Sequence, residues 1–272
     1  MKKERIDVLL VKEGLFESRE QAKRAVMAGE ILGENEERLD KPGMKVDATT
    51  KLHFKGTKMP YVSRGGLKLA KALKVFNLSV KGKIVLDIGS STGGFTDVCL
   101  QKGAKMVYAL DVGTNQLVWK LRQDTRVVVM ENTNFRYSKP EDFTEGQPEF
   151  ATTDVSFISL KLILPPLHSI LKENGDLVAL IKPQFEAGRE KVGKHGIIKD
   201  PTIHREVIET IIEFATTHHY DVCNLDFSPI TGGHGNIEFL VHLKNVTHEG
   251  KVNKNIDPVA IVKKAHETLK NQ

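Results

Sequence analysis

Cysteine is scarce in this 272-residue chain, which contains only Cys99 and Cys223. Two thiols cannot build a disulfide framework, and both lie inside apolar segments, so we expect reduced core thiols without chemistry. No apolar run is long enough to span a bilayer. The stretch after the charged N-terminus is interrupted by Asp7, Lys12 and Glu13, as in an amphipathic helix rather than a signal peptide. These absences predict a cytoplasmic protein.

Acidic residues are missing from one long part of the chain. Lys and Arg exceed Asp and Glu only by 40 to 35 overall, yet residues 48–86 contain no acidic residue. Such a stretch favours a polyanion as partner, and a solvated lysine-rich surface is the alternative. Its basic residues are Lys51, Lys55, Lys58, Arg64, Lys68, Lys71, Lys74, Lys81 and Lys83.

The chain also lacks the G-x-G-x-x-G fingerprint of dinucleotide enzymes and the G-x-x-x-x-G-K-[ST] phosphate loop. Residues 85–96 (VLDIGSSTGGFT) predict instead a buried strand, a glycine-rich turn and a helix that begins near Thr92. The glycines let the backbone approach a ligand, and the helix N-terminus points its N–H groups into the crevice above the strand. A purely structural turn is the alternative.

Two carboxylates suggest which ligand the turn binds. Asp87 ends the strand and is expected to face the crevice, where it suits the cationic amino-acid end of S-adenosylmethionine better than a pyrophosphate. Asp111 closes the next strand at the interval expected for a ribose-binding carboxylate, although it could instead cap the following turn. Asn132 follows a third strand and could border the adenine. The residues assigned to the cofactor are Asp87, Gly89, Ser90, Ser91, Gly93, Gly94, Phe95, Asp111 and Asn132.

The N-terminal residues predict a small separate module. Ile6, Leu9 and Leu10 recur at helical spacing before Gly14, and Ser18 can cap a second helix that places basic residues outward. Short strands follow at residues 31–32, 44–46 and 51–54.

The segments RIDVLLVKEG (5–14) and SREQAKRAVMAGEI (18–31) resemble the S4 RNA-binding domain. That resemblance covers roughly residues 4–56 and implies phosphate contacts, which position RNA without reading its sequence. The acidic run at residues 33–37 departs from the neutral turn common in such domains and weakens that edge as an RNA surface. The residues assigned to RNA are Arg5, Arg19, Lys23, Arg24 and Arg64.

Alternating apolar strands and helices follow, a pattern typical of an α/β fold with a mostly parallel sheet covered on both faces. We expect strands at 84–88, 106–110, 127–130, 150–153 and 176–181, with helices at 66–76, 95–102, 116–123, 158–171 and 203–218. Residues 220–227 and 237–243 are expected to pair antiparallel at an edge, so that one antiparallel strand forms the edge of the mostly parallel sheet. Residues 245–255 are expected to form a loose tether, and Pro258 to begin a short helix that uses Val259, Ile261, Val262 and Leu269.

The glycine-rich turn, together with Asp154 and Lys182 at two strand ends, resembles the FtsJ-type ribose 2′-O-methyltransferases. With an S4 domain in front, the chain is similar to the TlyA or hemolysin A family of rRNA methyltransferases. Further matching motifs are SRGGLK (63–68), TDVSF (153–157), IKPQFE (181–186) and GGHGNIE (232–238). This resemblance implies a Rossmann-like class I methyltransferase sheet and the divisions 1–58 (S4), 59–63 (linker), 64–245 (methyltransferase) and 246–272 (C-terminal tether and helix).

The resemblance also implies a catalytic set, which falls on Lys68, Asp154, Lys182 and Glu238. A ribose 2′-hydroxyl is a weak nucleophile, so a nearby base must remove its proton, and Lys182 is the candidate. Lys182 could instead only orient the oxygen. No metal is needed, because the leaving sulfide departs from a cationic centre. Taken singly, each residue could be an ordinary surface, cap or ion-pair residue; together they favour catalysis.

Three functions are compatible with this sequence. The first is transfer of a methyl group from S-adenosylmethionine to a ribose in ribosomal RNA or a ribosomal subunit, and the resemblance suggests a cytidine. The second is a membrane-active haemolysin, which the family's other name suggests and which the absence of a signal peptide and a spanning segment opposes. The third is a non-catalytic RNA-binding or ribosome-assembly factor, which the complete set of four site residues opposes.

Overall fold

The computed structural model describes residues 3–16, 18–56 and 59–269 and divides into two compact units, residues 1–60 and 61–272. Residues 57 and 58, which end the predicted first domain and include Lys58 of the basic stretch, lie outside the described residues.

The first unit packs two helices against short antiparallel strand pairs. Ile6, Leu10 and Val26 are fully buried at its centre. The predicted cap is present, since the Ser18 hydroxyl accepts a hydrogen bond from the Gln21 N–H at 3.3 Å. Strand β1 was not expected, and it pairs with β3. The elements are β1 (Lys3–Arg5), α1 (Ile6–Lys12), α2 (Arg19–Met27), β2 (Ile31–Leu32), β3 (Lys45–Asp47) and β4 (His53–Phe54).

The second unit is built on a seven-stranded sheet in the order β10-β11-β9-β8-β5-β6-β7. Neighbouring residues of a strand face opposite layers: Leu86 packs with the helices of one face, and Val85 with those of the other. The predicted α/β class with a mostly parallel sheet is confirmed. The strands are β5 (Ile84–Ile88), β6 (Met106–Leu110), β7 (Val127–Met130), β8 (Phe150–Thr153), β9 (Asp176–Ile181), β10 (Tyr220–Phe227) and β11 (Phe239–Asn245).

The reversed strand lies one position inside the edge. β11 runs antiparallel to both β9 and β10, and β10 forms the edge outside it. The expected antiparallel pairing is therefore present, while the expected edge position of the reversed strand is wrong. β11 pairs on one side with β9 and on the other with β10, so its buried apolar residues lie inside the sheet rather than at its edge.

Helices cover both faces, and two of them are shorter than expected. The Glu131 carboxylate accepts hydrogen bonds from the backbone N–H groups of residues 115–117, which keeps those residues out of the predicted helix 116–123. The predicted helix 158–171 is a 3₁₀ turn followed by α6, whose first turn holds the prolines. The helices are α3 (Gly66–Val75), α4 (Gly94–Gln101), α5 (Trp119–Arg122), α6 (Leu164–Ile170), α7 (Pro183–Glu186), α8 (Pro201–Thr217) and α9 (Pro258–Leu269).

The C-terminal segment packs on this unit and is not a loose tether. The Val222 N–H of β10 donates to Lys251 O at 2.8 Å, and the Asn253 N–H donates back to Val222 O at 2.9 Å. Helix α9 buries Val262 and Leu269 as expected, but Val259 is exposed. Both cysteines are free thiols; Cys99 is buried as expected, and Cys223 is partly exposed, so it is not a core thiol.

Candidate active site

The glycine-rich turn leaves the carboxyl end of β5 and requires glycine at two points. Gly89 has φ of +83°, and a Cβ there would lie 2.9 Å from the Asp154 carbonyl oxygen. Gly93 has φ of +101° and precedes α4, which begins at Gly94 rather than Thr92. A side chain at either position would strain the backbone or separate this turn from the segment after β8.

A cavity of about 240 Å³ opens beside this turn. Of the residues assigned to the cofactor, Gly89, Ser90, Ser91, Gly94 and Phe95 line it; the other lining residues are Ser63, Gly65, Thr92, Asp154, Ser156 and Lys182. Among the described residues, the buried Ser90 hydroxyl has no hydrogen-bond partner. A buried hydroxyl without a partner at a cavity wall fits a polar ligand group, such as the amino-acid end of S-adenosylmethionine.

Asp87 does not face this cavity, so that expectation is wrong. Its carboxylate is fully buried and accepts hydrogen bonds from the hydroxyls of Thr96 at 2.7 Å and Thr152 at 3.0 Å. Burial raises the pKa of Asp87 to about 7 although both hydroxyls oppose the shift. The carboxylate ties β5 to α4 and to β8 beneath the turn, because it sits on a strand position whose side chain points into the protein.

Asp111 caps the turn that follows it, as the alternative to a ribose contact predicts, and it also binds the glycine-rich turn. Its two oxygens accept hydrogen bonds from the N–H groups of Ser91 and Gly113, both at 2.8 Å. A carboxylate has about four acceptor positions, so the predicted ribose contact remains compatible with these bonds. Asn132 is exposed and donates its N–H to Gly113 O at 3.0 Å, which places it beside Asp111. The ribose and adenine roles of these two residues stay predictions.

The four residues assigned to catalysis form a chain of alternating charge. Lys182 Nζ lies 2.5 Å from Asp154 Oδ1, Asp154 Oδ2 lies 3.4 Å from Lys68 Nζ, and Lys68 Nζ lies 2.7 Å from Glu238 Oε2. Asp154 and Lys182 line the cavity, whereas Lys68 and Glu238 do not. The arrangement presents Lys182 and Asp154 to the cavity, and its two ammonium groups and two carboxylates balance one another.

The topology explains why distant residues meet here. Asp154 and Lys182 follow the carboxyl ends of the parallel strands β8 and β9. Glu238 precedes β11, and because β11 is reversed its beginning lies at that same edge, with Phe239 opposite Ile181. Lys68 reaches the group from α3 across a sequence separation of 170 residues from Glu238.

The surroundings fix two of the charges. Burial alone would lower the pKa of Lys68, but Asp154 and Glu238 outweigh that effect and raise it. Burial likewise favours neutral Asp154, yet the Lys68 and Lys182 ammonium groups lower its pKa. Lys68 is therefore a charged positioning group rather than a base, and Asp154 an anion between two lysines.

The residues assigned to RNA differ in their availability. Arg5 and Arg19 both pair with the buried Asp7 at 2.9 Å, and Lys23 pairs with Glu20 at 2.7 Å. Arg24 and Arg64 are exposed. The basic stretch is only in part a free cationic surface. Lys68 lies in the buried charge chain, Lys71 pairs with Asp226, and Lys83 pairs with Asp176.

Sequence reasoning missed several residues near the cavity. Ser63 and Ser156 line it, and the Ser156 hydroxyl lies 3.2 Å from Lys182 Nζ. Phe157 is 90% exposed in the left-handed region, with φ of +63°. An apolar residue following a strand is ordinarily assigned to the core, so nothing in the local pattern separates Phe157 from a core residue.

Comparison with known proteins identifies two parts of the chain. A family model described as FtsJ-like methyltransferase matches residues 61–245, and an S4 domain model matches residues 4–51. The chain is 61% identical over 273 residues to "Putative rRNA methyltransferase YqxC" of Bacillus subtilis (strain 168), covering 100% of this chain and 97% of that protein. It is 39% identical over 249 residues to "16S/23S rRNA (cytidine-2'-O)-methyltransferase TlyA" of Mycobacterium tuberculosis, covering 89% of this chain and 90% of that protein.

A solved structure agrees over the whole length. The "Putative hemolysin from Streptococcus thermophilus" is 60% identical, with a TM-score of 0.80, and the match covers 100% of this chain and 98% of that one. Within the described part of this chain, no helix is both long enough and apolar enough to cross a membrane.

Proposed function

The chain belongs to the FtsJ-like methyltransferase family and carries an S4 domain ahead of its methyltransferase domain, and on this premise we propose that it methylates a ribose 2′-hydroxyl of ribosomal RNA with S-adenosylmethionine. The resemblance inferred from the motifs is thereby confirmed for both parts. The observation that carries the proposal is the chain of four alternating charges, which ends with the Lys182 ammonium at the wall of the cavity beside the glycine-rich turn.

The proposed cofactor site uses the turn after β5. The unpartnered Ser90 hydroxyl and the polar residues Ser91 and Thr92 would hold S-adenosylmethionine, and Asp111 would bind its ribose. When bound, this cofactor supplies an electrophilic methyl group on a sulfonium. Asp87 acts from below by fixing the turn, and it makes no contact with the cavity.

The proposed chemistry belongs to Lys182. The Lys182 ammonium would first release a proton to solvent, and its neutral Nζ would then contact the nucleophilic 2′-oxygen and take up the proton that this oxygen loses. Asp154, 2.5 Å away, stabilises the resulting ammonium, and the Ser156 hydroxyl at 3.2 Å helps to fix its direction. Lys68 and Glu238 hold Asp154 in place, since a buried carboxylate with a single cationic partner would be less firmly oriented.

Two further observations support RNA as the substrate. The S4 domain has the exposed Arg24, and the methyltransferase domain has the exposed Arg64. Phe157 places an aromatic ring in solvent beside Ser156 at the cavity, where a nucleobase could stack. The relatives named as rRNA methyltransferases support ribosomal RNA, and the cytidine-2′-O name of one supports cytidine. We place this activity in the cytoplasm, where ribosomal subunits are available.

The test is methyl transfer from labelled S-adenosylmethionine to ribosomal subunits, and to the RNA extracted from them, taken from cells that lack the protein. Mass mapping of the product should place one methyl group on a ribose. A matched RNA with 2′-deoxycytidine at the mapped nucleotide should accept no label, because the nucleophile is gone while the base remains. Equal labelling of the two RNAs would mean that a base is methylated, and the ribose assignment would then be wrong.

A further inference from the structure

Two chain segments leave neighbouring strands at the cavity and contact each other at several points. One is residues 154–160, after β8, and the other is residues 182–186, after β9, which includes α7. Besides the Lys182 contacts with Asp154 and Ser156, the Phe157 and Phe185 rings lie 5.0 Å apart between centroids. The two segments therefore form one unit rather than two independent loops.

Glu186 closes this unit at its far end. Its Oε2 accepts a hydrogen bond from the Ser159 hydroxyl at 2.6 Å, and its Oε1 accepts one from the Leu160 N–H at 2.7 Å. The Ser159 hydroxyl also accepts from the Lys161 N–H at 3.1 Å, so the same contact begins the 3₁₀ turn that follows. Both oxygens of this partly buried carboxylate are thus bound to the segment that carries Phe157.

Phe157 needs such support, because its conformation is unfavourable in two ways. Its φ of +63° lies in the left-handed region, which a bulky side chain rarely adopts, and its ring is 90% exposed to water. A residue in this state persists where its neighbours determine the backbone around it. Here the neighbours are fixed on one side by Ser156 with Lys182 and on the other by Ser159 and Leu160 with Glu186.

Glu186 itself does not line the cavity, so it can act only through these residues. Burial raises the pKa of Glu186 although the bonds from Ser159 and Leu160 oppose the shift. Burial therefore destabilises the charged carboxylate of Glu186, and the hydrogen bonds from Ser159 and Leu160 are the main interactions that stabilise it.

We propose that Glu186 is a positioning residue that locks the segment after β8 to the helix after β9 and so holds Phe157 outward toward the RNA. The proposal rests on the proposed function, because it assigns the outward ring to substrate. It predicts that loss of Glu186 mimics loss of Phe157 and leaves the cofactor site intact.

The experiment compares Glu186→Ala, Glu186→Gln, Phe157→Ala and the double variant Glu186→Ala/Phe157→Ala in methyl transfer to ribosomal subunits. Glu186→Ala should lower kcat/KM for the subunit about tenfold, with the affinity for S-adenosylmethionine unchanged by calorimetry. Glu186→Gln should retain most activity, because its amide oxygen can accept from Leu160 and its amide N–H can donate to Ser159. The matched control is Glu206→Ala, which removes an exposed glutamate that pairs with Lys191 and should leave activity unchanged.

The double variant is the decisive case. If Glu186 acts by holding Phe157, the double variant should be no slower than Phe157→Ala alone, because both changes remove the same interaction. Losses that multiply would overturn the proposal, as would full activity of folded Glu186→Ala. Should Glu186→Ala fail to fold, Ser159→Ala deletes one of the two hydrogen bonds that Glu186 accepts and should give a smaller loss, which is again absent in the Phe157→Ala background.

A readout without catalysis separates this proposal from the proposed function. Amide hydrogen exchange at Leu160 should be slow in the wild type and faster in Glu186→Ala. A wild type that methylates no ribose would refute the proposed function and, with it, the assignment of the ring to substrate. Ribose methylation by the wild type, with unchanged Leu160 exchange in Glu186→Ala, would refute only the positioning role.

Discussion

Replacing Lys182 by methionine removes the ammonium that faces the cavity and keeps an unbranched side chain of similar length. In the structure, Lys182 Nζ contacts Asp154 Oδ1 at 2.5 Å and the Ser156 hydroxyl at 3.2 Å. Removing one partner of a buried ion pair ordinarily costs roughly 3–5 kcal/mol. Asp154 keeps Lys68 at 3.4 Å, so we expect the lower end, about 3 kcal/mol. For a domain of this size that corresponds to a fall in Tm of about 6–12 °C.

The effect on activity should be larger than this stability loss explains. Removing a general base lowers the rate by roughly 10²-fold or more, which is about 3 kcal/mol of transition-state stabilisation. Lys182→Arg should be nearly as inactive, because arginine keeps the charge beside Asp154 but cannot release its proton to act as a base. Affinity for S-adenosylmethionine and for RNA should change little in both variants.

The assay is single-turnover methyl transfer at saturating subunit and cofactor, below the melting temperature of every variant. Lys83→Met is the matched control, since Lys83 also pairs with an aspartate of this sheet, Asp176, but does not line the cavity. The control should lose some stability and keep its turnover. Lys182→Arg with near wild-type turnover would refute proton removal by Lys182 and leave it only an orienting role.

Four further changes test the surroundings of the site and the role of the S4 domain. Because the pKa of Asp87 rises from 3.8 to about 7 on folding, the free energy of unfolding of the wild type should fall as pH rises between these values. Asp87→Asn should lack this slope, so in urea unfolding its stability relative to the wild type should be higher at pH ~8 than at pH ~5. Parallel slopes for the two proteins would contradict the assignment. Asp111→Ala should weaken S-adenosylmethionine binding about tenfold, because the turn loses the acceptor for the Ser91 and Gly113 N–H groups. Calorimetry measures this affinity, and an unchanged value would place the cofactor elsewhere. Deleting residues 1–60 should preserve cofactor binding and abolish most RNA affinity. In the full chain, Arg24→Ala should reduce the slope of log K for RNA binding against log salt concentration by about 1. A truncated chain that methylates RNA at the parent rate would show that the S4 domain does not anchor the RNA.

The five parallel strands β5 to β9 were predictable because their signal is local. The runs 84–88, 106–110, 127–130, 150–153 and 176–181 occur in the structure with the bounds expected from continuous apolar residues between turns. Where a distant partner competes for the backbone, the local signal fails: Glu131 binds the amides of residues 115–117, so no helix begins there.

The site, too, was predictable only in part. The resemblance to the FtsJ-type family singled out Lys68, Asp154, Lys182 and Glu238. It did not show which of them face the cavity or how they pair, because their contacts span up to 170 residues of sequence. The sequence alone does not give the direction of the Asp87 side chain, since a strand alternates its side chains between two faces and only the packed layers decide which face borders a crevice.

By itself, the sequence determined the order of the elements and the position of the glycine-rich turn, since propensity, periodicity and φ requirements act over a few residues. Only the tertiary structure decided that β11 runs reversed inside the sheet edge, which brings Glu238 beside the ends of β8 and β9. It also decided that Asp87 is buried and that Phe157 is turned outward. These features depend on burial and on partners far along the chain, and neither is encoded in any local window.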